Sequence, residues 1–177
     1  MANIIRDTRD QIGKHDNVDK TLAALGHKII RTKLYVGDVS LLNDQSVCID
    51  LKQDLQEVYG NIVGAQHDRF RAECERAKEA GIRLIILVEH GGINSLEDVA
   101  KWQNPRAKTW ERVHNGQLVG KYRGVQISKK PPVSSEQLMK SMRTMSEKYG
   151  VKWMFCEKWR TAHLICEVLG IEVSKHE

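Results

Sequence analysis

Gly37-Asp38 and Asp50-Leu51-Lys52 stand eleven residues apart. If the chain between them folds as a hairpin, Asp38 at the start of one strand lies beside Asp50 near the end of its antiparallel partner. Two carboxylates that close repel unless a cation lies between them, and hard Mg²⁺ or Mn²⁺ prefers oxygen ligands. Lys52 follows Asp50 by two residues, so on a strand it points to the same face. Such a face suits phosphodiester hydrolysis. A metal acidifies bound water and bridges a phosphate oxygen, while an ammonium orients the nucleophile and offsets charge developing at phosphorus. A surface hairpin laced by ion pairs fits the same spacing, so other residues must decide between the two.

The elements around these residues read as an α/β domain, with apolar runs alternating with amphipathic stretches. Residues 3–6 form a short strand, and a helix capped by Asn17 runs over Val18, Leu22 and Leu25 until Gly26 closes it. Strands over 29–35, 39–42 and 46–51 follow as a meander, with a turn at Asn43-Asp44. Residues 66–80 have helical spacing, with Phe70, Cys74 and Ala77 on one stripe. The continuous apolar run 84–88 is a strand buried on both faces, ending in Glu89. A helix over 134–149, a strand over 151–156 and a helix over 161–169 complete the domain. The polar stretch 91–133, with a helix near 96–102, reads as an insertion into one domain spanning 1–177.

Composition narrows the class. The chain is 41% hydrophobic and 29% charged, which excludes a disordered polymer, and no stretch approaches the roughly 18 apolar residues of a membrane span. The 28 basic and 23 acidic residues leave a net charge of +5, compatible with a polyanionic partner. Cys48, Cys74, Cys156 and Cys166 form no zinc-finger spacing, and the N-terminus lacks a signal-peptide core. Both point to reduced, buried thiols and a cytoplasmic protein.

Asp7-Thr8-Arg9-Asp10 directly follows the first strand, and strand C-termini tend to build sites in α/β sheets. With this segment the sequence resembles the nuclease domain of the XPF-type structure-specific endonucleases, within the PD-(D/E)XK superfamily. That family has a strand followed by Asp-x-Arg-Glu, matched by Asp7-Thr8-Arg9-Asp10. A Gly-Asp and a Glu-Arg-Lys come next, matched by Gly37-Asp38 and Asp50-Leu51-Lys52. A helix opening Gly-Arg-Phe-x-x-Gln corresponds to Asp68-Arg69-Phe70-Arg71-Ala72-Glu73, and a strand ending Leu-x-Glu corresponds to Leu87-Val88-Glu89. Ordered motifs cover residues 4–90. Asp10 and Asp50 each stand where the family has Glu, and Leu51 stands for Arg.

The resemblance implies a restriction-endonuclease-like mixed β-sheet flanked by helices and a metal-dependent DNA endonuclease that cuts branched or junction DNA. It implies that Asp38 and Asp50 bind Mg²⁺ or Mn²⁺ with the Leu51 carbonyl, that Lys52 positions water, and that Asp7 and Asp10 support the centre. Arg9 and Arg69 would reach phosphates, and Glu89 would be a supporting acid. Relatives pair through their nuclease domains, so a homodimer is expected. The short chain resembles stand-alone bacterial and phage forms without an appended DNA-binding module. Lys129 and Lys130 are further candidates for the phosphate backbone, and Trp102, Trp110, Trp153 and Trp159 for base stacking, with Trp153 in a strand-like segment suited to the core. A non-catalytic DNA-binding or interaction module of a phage is the alternative, marked by binding that needs no metal.

Overall fold

The computed structural model describes residues 1–9, 13–116 and 130–172. Six strands form one mixed sheet: β1 (Asn3–Arg6), β2 (Lys28–Arg31), β3 (Val39–Leu41), β4 (Val47–Lys52), β5 (Arg83–Glu89) and β6 (Lys152–Cys156). Their order is β2-β1-β3-β4-β5-β6. Helices α1 (Asp16–Ala24), α2 (Leu55–Ile62), α3 (His67–Glu79), α4 (Pro105–His114), α5 (Ser135–Tyr149) and α6 (Thr161–Leu169) accompany it. Among the described residues no helix is long and apolar enough to cross a membrane.

The period of two along the inner strands divides the core. Cys48 of β4 and Leu84, Ile86 and Val88 of β5 face α2, α3 and α5. Ile49, Leu51, Ile85 and Leu87 face α1 and α6. Each fully buried Leu or Ile contributes about 1.5–3 kcal/mol, so these two layers supply most of the driving force. Arg6 is fully buried on the α1 side, where its Nε lies 2.8 Å from Asp19 Oδ1 and ties α1 to β1.

The expected meander needs correction. β1 pairs in parallel with β2 and antiparallel with β3, so it lies between two strands that follow one another in sequence. α1 is the crossover that carries the chain from β1 to the parallel edge strand β2. The strand expected over 29–35 also stops at Arg31, and Thr32–Val36 leave the ladder.

Two helices were not foreseen. α2 is capped by Asp54, whose side chain accepts from the Glu57 amide at 2.9 Å, and it buries Leu55, Val58, Tyr59 and Ile62. α4 starts at Pro105 after Asn104, whose side chain accepts from the Arg106 amide at 3.0 Å. The helix expected over 96–102 is a 3₁₀ segment, Glu97–Lys101, with Val99 fully buried in the α5 layer.

Candidate active site

β3 and β4 run antiparallel with Val39 opposite Ile49, which brings Asp38 across from the 49–51 stretch as the spacing requires. The Asp38 amide donates to the Ile49 carbonyl at 2.7 Å, and its Oδ2 accepts from the Leu51 amide at 2.8 Å. A side-chain oxygen thus takes a place in the ladder, which fixes the carboxylate against β4. Gly37 permits this approach. Its φ is +73°, and a Cβ there would lie 3.0 Å from the Ile49 carbonyl oxygen.

Asp50 and Lys52 share the face of β4 that looks toward α3. Lys52 Nζ lies 2.6 Å from Asp50 Oδ1 and 5.3 Å from the centre of the Phe70 ring. Asp50 Oδ2 is buried without a hydrogen-bond partner. Burial pushes the Asp50 carboxyl up, Asp38 and Glu73 add to the shift, and Lys52 opposes it. Burial works against the Lys52 ammonium, but Asp50 and Asp38 outweigh it and hold the group charged. Besides burial, both shifts share a contribution from a local surplus of negative charge, which a bound proton relieves and a bound cation would relieve too.

These residues line a cavity of about 380 Å³ that also contains Asp7, Arg9, Leu51 and Arg69, so seven of the expected residues meet there. The Asp7 carboxylate is saturated. Its Oδ1 accepts from the Arg9 amide at 2.6 Å and Nε at 2.9 Å, and its Oδ2 accepts from Arg9 Nη2 at 2.8 Å and the Leu34 amide at 2.6 Å. Burial raises its pKa, but the bonds from Arg9 and Leu34 hold the carboxyl below the usual range. In this arrangement Asp7 braces Arg9 and the 32–36 segment.

Glu89 lies elsewhere. It follows Ile85 and Leu87 in the alternation of β5, so it belongs to the sheet face opposite Asp50 and Lys52. There it accepts the Thr161 hydroxyl at 2.7 Å and borders a separate cavity of about 420 Å³ between α1 and α6. Lys130 is exposed ahead of α5 and does not line the acid cavity. Asp10 and Lys129 fall outside the described residues. Of the tryptophans, Trp153 packs in the core and donates to the Met142 carbonyl at 2.9 Å, whereas Trp159 is 75% exposed.

Four residues of the cavity went unassigned in the sequence: Lys14, Glu57, Glu73 and Arg76. Glu73 Oε1 accepts from the Gly37 amide at 2.8 Å, bracing the turn that presents Asp38. Arg69, Glu73 and Arg76 recur at helical spacing beside the buried stripe Phe70, Cys74 and Ala77, a pattern that places all three on the sheet-side flank of α3. Glu57 links two elements by accepting from Lys14 Nζ at 2.8 Å and from the Gln53 amide at 2.9 Å. Its signal was the Asp54-x-x-Glu57 cap.

The ERCC4 domain model matches residues 6–168 of this sequence, nearly its whole length. The chain belongs to the ERCC4 domain family. Structures of XPF from Aeropyrum pernix share the ERCC4 fold, one at 20% identity with a TM-score of 0.56, covering 99% of this chain and 62% of that one. A second, a complex with DNA, matches at 18% identity with a TM-score of 0.56, covering 96% of this chain and 64% of that one. This ERCC4 domain therefore spans under two thirds of the XPF chains it resembles. No curated protein matches it in sequence. The ERCC4 domain is the nuclease domain of XPF-type enzymes, and the mixed six-stranded sheet flanked by helices is its fold.

Proposed function

We propose that this ERCC4 domain is a divalent-metal-dependent endonuclease that hydrolyses phosphodiester bonds in branched or junction DNA. The observation that carries the reading is the buried, unpartnered Oδ2 of Asp50 beside Asp38 and Lys52. A buried carboxylate oxygen without a donor is costly, and a cation relieves it. Mg²⁺ commonly binds through one or two carboxylates and completes its shell with water and substrate phosphate, so this pair of acids suits Mg²⁺ or Mn²⁺. Among the described residues no cluster of three or more His, Cys, Asp or Glu side chains is arranged as a metal site.

Asp38 and Asp50 would hold the ion, with the Leu51 carbonyl as a third oxygen. Bound there, such an ion supplies a more acidic water and a Lewis acid for the phosphate. Lys52, held charged by the acids, orients the attacking water and offsets charge on the phosphoryl oxygens. Arg9 and Arg69 bind flanking phosphates from the cavity wall, and Asp7 holds Arg9 in place. The XPF structure in complex with DNA supports DNA as the substrate. The family resemblance supports a homodimer, for which light scattering should give twice the chain mass.

Flap, fork and linear duplex substrates incubated with the purified protein in Mg²⁺ or Mn²⁺ test the reading. Branched substrates should be cut in preference, and Asp50→Asn and Lys52→Ala should abolish cleavage. DNA binding without metal-dependent cleavage would favour a non-catalytic module instead.

A further inference from the structure

The acid cavity continues beyond the carboxylates. It shares Arg9 and Arg76 with a second depression of about 480 Å³, also lined by Lys33, Leu34, Tyr35 and Gln45. The charge changes along this path. Acids and cations mix in the first cavity, whereas every charged residue lining the second is basic. Tyr35 stands at the second with 56% of its surface exposed, an uncovered aromatic ring beside guanidinium and ammonium groups.

The chain here alternates like a strand although it pairs with none. Lys33 and Tyr35 are exposed while Leu34 and Val36 are buried, so the first two project outward together. The segment is also fixed. The Leu34 amide donates to Asp7, and its carbonyl accepts from Arg9 Nη2 at 2.8 Å. A ligand meeting Lys33 and Tyr35 finds them already held against the site, which lowers the ordering cost of binding.

Lys33 and Arg76 attract phosphates, as does the exposed half of the Arg9 guanidinium whose inner side is held by Asp7, and an exposed ring offers its face to a base. A base inside a duplex is stacked between its neighbours and cannot lie on that ring, whereas an unpaired base can. We infer that Arg9, Lys33, Tyr35 and Arg76 form a subsite for unpaired DNA, with phosphates on the cations and one base on Tyr35, adjoining the site of cleavage. The subsite rests on the nuclease reading for its purpose and adds to it the class of strand that enters beside the acids.

Fluorescence anisotropy with a labelled single strand and a duplex of equal length, in EDTA so that nothing is cut, tests it. Tyr35→Ala should weaken single-strand binding about 5- to 150-fold and leave the duplex nearly unchanged, whereas Tyr35→Phe, which keeps the ring, should bind within about two-fold of the original. Lys33→Ala should reduce the salt dependence of single-strand binding by a slope of about 0.7. A strand carrying 5-bromouridine should crosslink to Tyr35 under ultraviolet light. Equal losses on single strand and duplex, or an unchanged affinity in Tyr35→Ala, would overturn the subsite. A parallel cleavage assay separates the two readings. Cleavage of branched DNA with Tyr35-independent binding removes only the subsite, and Tyr35-dependent strand binding without cleavage removes only the nuclease.

Discussion

Lys52 reaches back along β4 to Asp50, ammonium to carboxylate at 2.6 Å, and occupies one of the two oxygens while the other stays buried without a donor. Mg²⁺ or Mn²⁺ should therefore stabilise the protein by about 2.7 kcal/mol at a hundred times the Kd, and its melting temperature should rise with the logarithm of concentration above the Kd. Because burial raises the Asp50 pKa, protons compete with the ion more readily than at an ordinary carboxylate, and the gain should shrink as pH falls. Differential scanning fluorimetry across metal concentration and pH reads both effects. In Asp50→Asn the metal-dependent shift should vanish.

Asp7 makes a second prediction. Its folded carboxyl lies below its ordinary value of 3.8, so the stability it contributes is present above that value and is lost as pH falls through the depressed one. Asp7→Asn should remove that acid-limb loss and cost about 1.5–3 kcal/mol at neutral pH, the scale of one charged hydrogen bond. Urea denaturation at several pH values would measure it.

Gly37→Ala combines a left-handed φ of +73° with a Cβ 3.0 Å from the Ile49 carbonyl oxygen. The expected cost is about 1–3 kcal/mol in stability, and cleavage should fall further than stability because Asp38 is the next residue. Comparing the melting temperature with cleavage well below it separates the two losses.

The four cysteines are buried and free, and burial pushes all four thiols up, Cys74 to about 12 with help from Asp50 and Glu73. The native protein should resist a thiol reagent such as dithionitrobenzoate at neutral pH, and all four should react once it is unfolded. Rapid labelling of the folded protein would contradict the burial of Cys74 between α3 and the sheet.

Much of the site was legible because it is local. Asp38 and Asp50 flank one antiparallel pair, so their spacing and the period of two were enough to bring them together with Lys52. Glu89 shows the limit of that reasoning. Being last on a buried strand gave it the right end of the sheet, but its face depends on the register of β5 against β4, which no local pattern states. The order of the strands failed for a related reason. β2 and β3 are neighbours in sequence, yet β1 lies between them, and that pairing is settled by long-range packing of α1. α2 was missed although its cap and its buried spacing are present, because eight residues between two stronger elements read as a connection.

β4 has β3 on one side and β5 on the other, and the face that carries Asp50 and Lys52 is roofed by α3. Opening the site from beneath would therefore tear the centre of the sheet, so loss of the carboxylate pair and global unfolding amount to a single event. A nascent or partly degraded chain that lacks β5 or α3 has no assembled centre. On the proposed nuclease reading, such a chain would leave nucleic acid intact.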